Sequence, residues 1–278
     1  MLEQNGSLRR CVNKMKLPER VELKGSDAKY LYKHDIKEFF GAKSWERYVY
    51  MNRFCTIINF TKKHLPMNSA IVDVGSAQGN FSLTLAKSGY EVYGVDIRPS
   101  FISYAKLKAT EEEKSNVEWI CSDAKNLPFQ SNFADSVLLL EILEHTRLPE
   151  KMVEEACRIL KKGGYLIVST VNQKRIRTKS KPFSYSDFKK GISKIDVTES
   201  TAKGSEHIFE FQERELLMLL AQFNLRISYT KTMTFLGFHF LAKLFDHKVL
   251  SRLERKLLKT YYLKEKFGLG LLVFCKKC

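Results

Sequence analysis

The stretch 71-IVDVGSAQGNF-81, followed by 91-EVYGVD-96, decides the reading of this 278-residue chain. Both begin as short apolar runs rich in valine, the pattern of strands buried on two faces rather than of half-exposed ones. Gly75 lets the backbone turn tightly after the first run, and Gly79 permits close approach between backbone and ligand or between helix and strand. Asp96 falls twenty-one residues after Gly75 and closes the second run beside the same crevice. A carboxylate there can accept from both hydroxyls of an adenosine ribose. Asp73, two residues before the glycine turn, can orient the loop and an amino group of the ligand, whereas a dinucleotide would need that region open for pyrophosphate.

Working outward, the alternation continues with a helix over 99–112, a strand 117-VEWICSD-123, a strand 134-ADSVLLLE-141, a helix from Pro149 to Leu160 and a strand 165-YLIVSTV-171. Five strands alternating with helices predict an α/β fold with a doubly wound, mostly parallel sheet. A helix over Glu213 to Phe223 and the runs 225-LRISYTK-231 and 269-LGLLVFCKK-277 bring the strands to seven. Residues 1–64 read as a basic leader and an N-terminal helical cap, and 65–278 as the main domain. That domain carries a basic loop at 172–204, with nine basic and three acidic residues, and a helical insertion at 235–264. At the end of the third strand, Asp123 is placed to accept from an adenine amine and Ala124 leaves room for the ring. The ligand is therefore expected to be an adenosine bearing an amino acid.

On these residues the chain resembles the class I S-adenosylmethionine-dependent methyltransferases, in particular the small-molecule group that includes ubiquinone-biosynthesis O-methyltransferases. The matching segments occur in order: 71-IVDVGSAQG-79, 94-GVD-96, 122-SDAKNLPF-129, 135-DSVLLLEILEH-145 and 159-ILKKGGYLIVSTVN-172. The resemblance implies S-adenosyl-L-methionine as cofactor, with Gly75, Ser76 and Gly79 around its methionyl part. It places Asp96 and Ile97 at the ribose and adenine, Asp123 and Ala124 at the adenine edge, and Glu141 near the methionyl end. It also implies that the last strand runs antiparallel. Ala77 departs from the pattern, since the family often has glycine there, and a positive φ would strain it.

Methyl transfer from a sulfonium is an in-line displacement that mainly requires positioning, with a base only where the acceptor must lose a proton. His145, in 141-EILEH-145, is one candidate base, and His207, in 205-SEHIFEF-211, is the second. No residue is assigned as a metal ligand, although Glu141, Glu144 and His145 could converge on a divalent cation, and a purely structural His145 is the remaining alternative.

The formal charge of +16 fits an anionic partner, or simply a basic surface. Three functions stay open: methyl transfer to a small-molecule or lipid-like acceptor, preferred at oxygen; RNA methylation using Lys174, Arg175, Arg177, Lys179, Lys181, Lys189 and Lys190 for phosphate; and donor binding without catalysis. The basic amphipathic segment 248–261 would either contact an anionic membrane or turn its apolar face to the core. The absence of a secretory leader pattern and of a long apolar run leads to an expected cytoplasmic location, with peripheral membrane contact as an option.

Overall fold

The computed structural model describes residues 25–40, 43–109, 116–176, 183–192, 207–235, 238–258 and 261–278. Strands β1 (Ala70–Val74), β2 (Glu91–Asp96), β3 (Val117–Cys121), β4 (Ala134–Leu140), β5 (Leu160–Val171), β6 (Leu225–Phe235) and β7 (Gly268–Lys277) form one sheet in the order β3-β2-β1-β4-β5-β7-β6. Only β7 opposes its neighbours: β5 and β6 both pair with it antiparallel, so β1 to β6 share one direction.

Every residue of β1 is buried, because helices cover both faces of the sheet. The two-residue period divides the strands between two cores. Ile71, Leu138 and Ile167 face α2 (Trp45–His64) and α3 (Asn80–Ala86). Val72, Val137, Leu139 and Val168 face α5 (Pro149–Ile159) and α7 (Glu213–Leu220). Asp73 belongs to the first face and meets α3 there, its carboxylate accepting from Ser82 Oγ at 2.6 Å. Proline at the first turn starts both α4 (Pro99–Lys108) and α5, since its missing N–H has no partner to lose there.

The helical cap is present as α1 (Gly25–His34), a π-helical turn over Asp35–Phe40, and α2. It shares its core with the sheet: Phe39, Phe54, Ile57 and Ile58 pack with Ile71, Leu83 and Phe274. Several boundaries move from those expected. The fourth helix ends at Lys108, β5 begins at Leu160, and β6 runs on to Phe235. The leader, 177–182 and 193–206 of the basic loop, and 236–237 and 259–260 of the insertion lie outside the described residues. Of the loop, α6 (Tyr185–Lys189) is described, and of the insertion a 3-10 turn over Leu241–Lys243, α8 (His247–Leu257) and α9 (Tyr261–Phe267). No helix among the described residues is long and apolar enough to cross a membrane.

Candidate active site

Strand order reverses at β1, which lies between β2 and β4, and such a switch point opens a crevice at the carboxyl ends of the strands. A cavity of about 390 Å³ occupies it. Gly75, Asp96, Ile97, Asp123, Ala124, Glu141 and His145 all line this cavity. Four other candidates do not: Asp73, Ser76, Gly79 and His207 stand behind its walls.

The glycine turn is built by positive backbone angles. Gly75 has φ +75°, and a β-carbon on it would come within 2.6 Å of Ile142 Cδ1. Gly79 has φ +74°, but its bareness serves packing, since a β-carbon would meet Trp119 at 2.5 Å and Ala105 at 2.9 Å. Ala77 sits between them at φ +44°, so the methyl group does occupy a strained conformation. The turn is held from β2: the N–H groups of Gly75 and Ser76 both donate to Val95 O. Ser76 Oγ is buried with no hydrogen-bond partner.

Asp96 is the fixed point of the crevice. Its Oδ2 accepts from Ala77 N and its Oδ1 from Arg98 N, each at 3.0 Å. Burial pushes its pKa up, while these backbone N–H groups pull the other way. Asp73 is raised further, to about 6, first by burial and then by the neighbouring Asp96 charge, against the stabilising bond from Ser82. Asp123 accepts from Lys125 N at 2.9 Å and pairs with its Nζ at 3.3 Å.

After β4 the chain makes a second strained turn, with Glu141 at φ +53°. That turn sets Glu141 apart from Glu144 and His145, which stay together. Glu141 swings to Arg53 of α2, 3.1 Å away, and accepts from Ser169 Oγ. Glu144 points inward and is fully buried, with the Thr170 hydroxyl as the side-chain hydrogen-bonding group beside its carboxylate. Burial and then the nearby Glu141 raise its pKa to about 7, against the opposing influence of His207. His145 lines the cavity and meets the His207 ring edge-on, with centroids 5.0 Å apart. His207 shares its Nδ1 with Glu210 at 2.9 Å; burial lowers its pKa, but the Glu210 bond and the Glu144 charge more than offset this. His207 is thus absent from the cavity lining but in ring contact with His145, which does line it. The groups that converge are Glu144, His145 and His207, whose ligand atoms lie within 4.8 Å of one another. Glu141 is not in that set.

Residues that sequence reasoning missed close the cavity from the cap. Tyr30, Leu31 and His34 of α1 line it, as do Arg98, Phe101 and Met152. The aromatic Tyr30 was visible in the sequence as part of a helical cap, but nothing in its spacing tied it to the crevice.

Residues 72–168, from β1 into β5, match the family described as the methyltransferase domain. This stretch of the chain is thus similar to a methyltransferase domain. The chain is also similar to the ubiquinone biosynthesis O-methyltransferase of Coxiella burnetii, at 36% identity over 103 residues, 37% of this chain and 44% of that protein. The match thus spans less than half the length of this curated relative. Among solved structures it resembles a SAM-dependent methyltransferase from Aquifex aeolicus, with 17% identity, TM-score 0.55 and coverage of 92% of this chain and 100% of the other. The [4+2]-cyclase SpnF is equally similar in fold, with 16% identity, TM-score 0.55 and coverage of 84% and 83%. A shared fold therefore leaves the reaction to be argued from the site.

Proposed function

We propose that this protein transfers the methyl group of S-adenosylmethionine to an oxygen of a small-molecule or lipid-like acceptor. The observation that carries the donor is the pairing of Asp96 with the glycine turn at the switch-point cavity. Each Asp96 oxygen uses one lone pair on a backbone N–H and keeps another for a ribose hydroxyl. Ile97, 55% exposed at the wall, and buried Ala124 offer apolar surface for an adenine. Lys125 neutralises Asp123, and Arg53 neutralises Glu141. Asp73 and Asp96 are like-charged neighbours, Asp96 partly offset by Arg98, and a ligand carrying a sulfonium and an ammonium would relieve their repulsion. His145, on the cavity wall beyond Glu141, is positioned to take a proton from an acceptor hydroxyl.

Glu144 favours a second reading of the acceptor step. A buried carboxylate whose ligand atom lies within 4.8 Å of two histidine nitrogens fits a divalent cation. Bound there, such a cation would lower the pKa of an acceptor hydroxyl. Loss of turnover on chelation, with donor affinity retained, would favour it over His145 acting alone.

The RNA reading has less support. Lys174 pairs with Glu265, Arg175 with Glu210, and Lys189 with Glu150, so these cations are engaged within the protein. Tyr185 and Phe188 pack on Phe209, their centroids 5.2 and 4.9 Å away, instead of standing free to stack on bases. Arg177, Lys179 and Lys181 lie outside the described residues.

The deciding experiment supplies S-adenosylmethionine with a labelled methyl to a cell extract and separates lipid, small-molecule and RNA fractions. Label in either of the first two supports the proposal; label in RNA alone overturns the acceptor class, and no label overturns the activity. A pH test addresses the donor. Asp73 is raised, so protonation near pH 6 removes a charge that a cationic donor needs. Affinity measured calorimetrically is expected to strengthen about five- to tenfold between pH 5 and 7 and then level off. The Asp73→Asn variant should show a flat profile over that range, and an unchanged slope would remove Asp73 from the donor's surroundings.

A further inference from the structure

The insertion between β6 and β7 turns its apolar stripe away from the protein. Along α8 the residues that face inward are Leu250 and Glu254, one turn apart. Leu250 packs with Tyr48, Phe238 and Ala242. Glu254 is held by the Tyr48 hydroxyl, by Asn52 Nδ2 at 2.9 Å and by Phe235 N at 3.2 Å. With that face fixed on α2, helical periodicity sends Val249, Leu253 and Leu257 to solvent as an adjacent stripe. Of the helix's apolar residues Leu250 therefore turns to the core, while Val249, Leu253 and Leu257 do not. Phe240 (82% exposed), Leu244 (68%) and Phe245 extend the stripe through the preceding turn. Six of the sixteen exposed large apolar side chains among the described residues fall between 240 and 257. Scattered singly they would need no explanation, but gathered on one insertion they mark a contact surface.

The surface is also strongly one-signed. Lys243, Arg252, Arg255 and Lys256 are exposed around it. Of the two acids in the segment, Glu254 is buried, and Asp246 caps α8 by accepting from Lys248 N at 2.9 Å. Topology fixes where this surface lies. Strand β6 runs parallel to β4, so its end at Phe235 and the start of β7 at Gly268 share the carboxyl edge of the sheet with the cavity.

We propose that the exposed apolar stripe and cations of residues 240–257 dock this carboxyl edge onto an anionic phospholipid surface. The charge selects among occupants. RNA would engage the cations but leave Phe240, Leu244 and Leu253 in water. A second copy meeting this face by two-fold symmetry would bring the same four cations against each other. An anionic bilayer satisfies both parts, since apolar side chains enter the acyl boundary while lysine and arginine stay at the headgroups.

Co-sedimentation of the full chain with vesicles of phosphatidylcholine, with and without phosphatidylglycerol, tests this directly and independently of any methyl transfer. The protein is expected to sediment with the anionic vesicles and to be released by salt. Phe240→Ser combined with Leu253→Ser should weaken binding at least tenfold, because even two methylene groups buried in lipid are worth about that much. Arg252→Glu combined with Lys256→Glu should do at least the same, each cation near such a surface being worth about fivefold. All four side chains are exposed, so both variants should keep the wild-type melting temperature. Failure to sediment with anionic vesicles, or binding by the serine variant as tight as that of the wild type, would overturn the proposal. A dimer in sedimentation velocity that Leu253→Ser dissolves, without vesicle binding, would give the stripe to a second copy and overturn it equally.

Discussion

Replacing Asp35 with alanine is expected to lower the folding free energy by about 3–5 kcal/mol, because it removes the buried carboxylate that is paired with a buried ammonium. Asp35 and Lys108 are both fully buried, 2.7 Å apart. The carboxylate also accepts from Asn80 Nδ2 and the Tyr104 hydroxyl, and the ammonium also donates to Gln78 O and Asn80 Oδ1. Such a network is costly only when broken on one side. Asp35→Ala takes from Lys108 the buried carboxylate paired with it at 2.7 Å, and a melting temperature about 10 °C lower follows for a chain of this size. The double variant Asp35→Leu with Lys108→Met removes both charges and should recover at least half of the loss. Urea denaturation of the three proteins measures this. A single variant within about 1 kcal/mol of wild type would mean that the pair is less isolated from water than its burial indicates.

This prediction extends to the site, because Asp35 begins the π-helical turn that directly follows α1. The turn, an irregularity often found near functional sites, points Asp35 and Phe39 inward. With Asp35 clamped on Lys108, α1 is held where Tyr30, Leu31 and His34 wall the cavity. Asp35→Ala is therefore expected to weaken donor binding as well, at temperatures where the sheet is still folded.

The central strands were legible because strands buried on both faces read as near-continuous apolar runs, as in Val137–Leu140 and, interrupted by Asp73 alone, Ile71–Val74. Their carboxyl ends were legible for the same reason: Gly75, Asp96 and Asp123 break the runs where the backbone must turn, and a parallel sheet puts all those ends on one edge. What stayed hidden depends on contacts between distant segments. Nothing local relates Arg53 to Glu141 or Asp35 to Lys108, since each pair is made only when the cap docks. The EILEH segment misled for a different reason. Regular spacing suggested three convergent side chains, but positive φ at Glu141 sets it apart from Glu144 and His145 in the 3-10 turn over Leu143–His145, and His207 arrived from another part of the chain. On α8 the apolar period was real and its direction was not readable. Glu254 is the inward residue because Tyr48, Asn52 and Phe235 N satisfy it, and a sequence does not announce such partners.

Asp96→Ala is expected to weaken S-adenosylmethionine binding by at least about a hundredfold, since two hydrogen bonds to a charged acceptor are each worth about 1.5–3 kcal/mol. Part of that loss has another origin. The variant also frees Ala77 N and Arg98 N, so the glycine turn loses a fixing point together with the ligand. Ligand chemistry separates the contributions. S-adenosylhomocysteine has the same ribose and no sulfonium charge; if Asp96 acts on the hydroxyls, its affinity should fall by the same factor. If Asp96 acts as a counter-charge to the sulfonium, the demethylated ligand should be spared. An analogue lacking both ribose hydroxyls completes the cycle. It should bind wild type poorly and lose little more on the variant, because the interaction it would report is already gone. Equal losses for all three ligands would mean that the carboxylate matters through the loop alone. Retention of S-adenosylmethionine affinity within about threefold would remove Asp96 from the donor site, since additivity errors in such cycles are of that order or smaller.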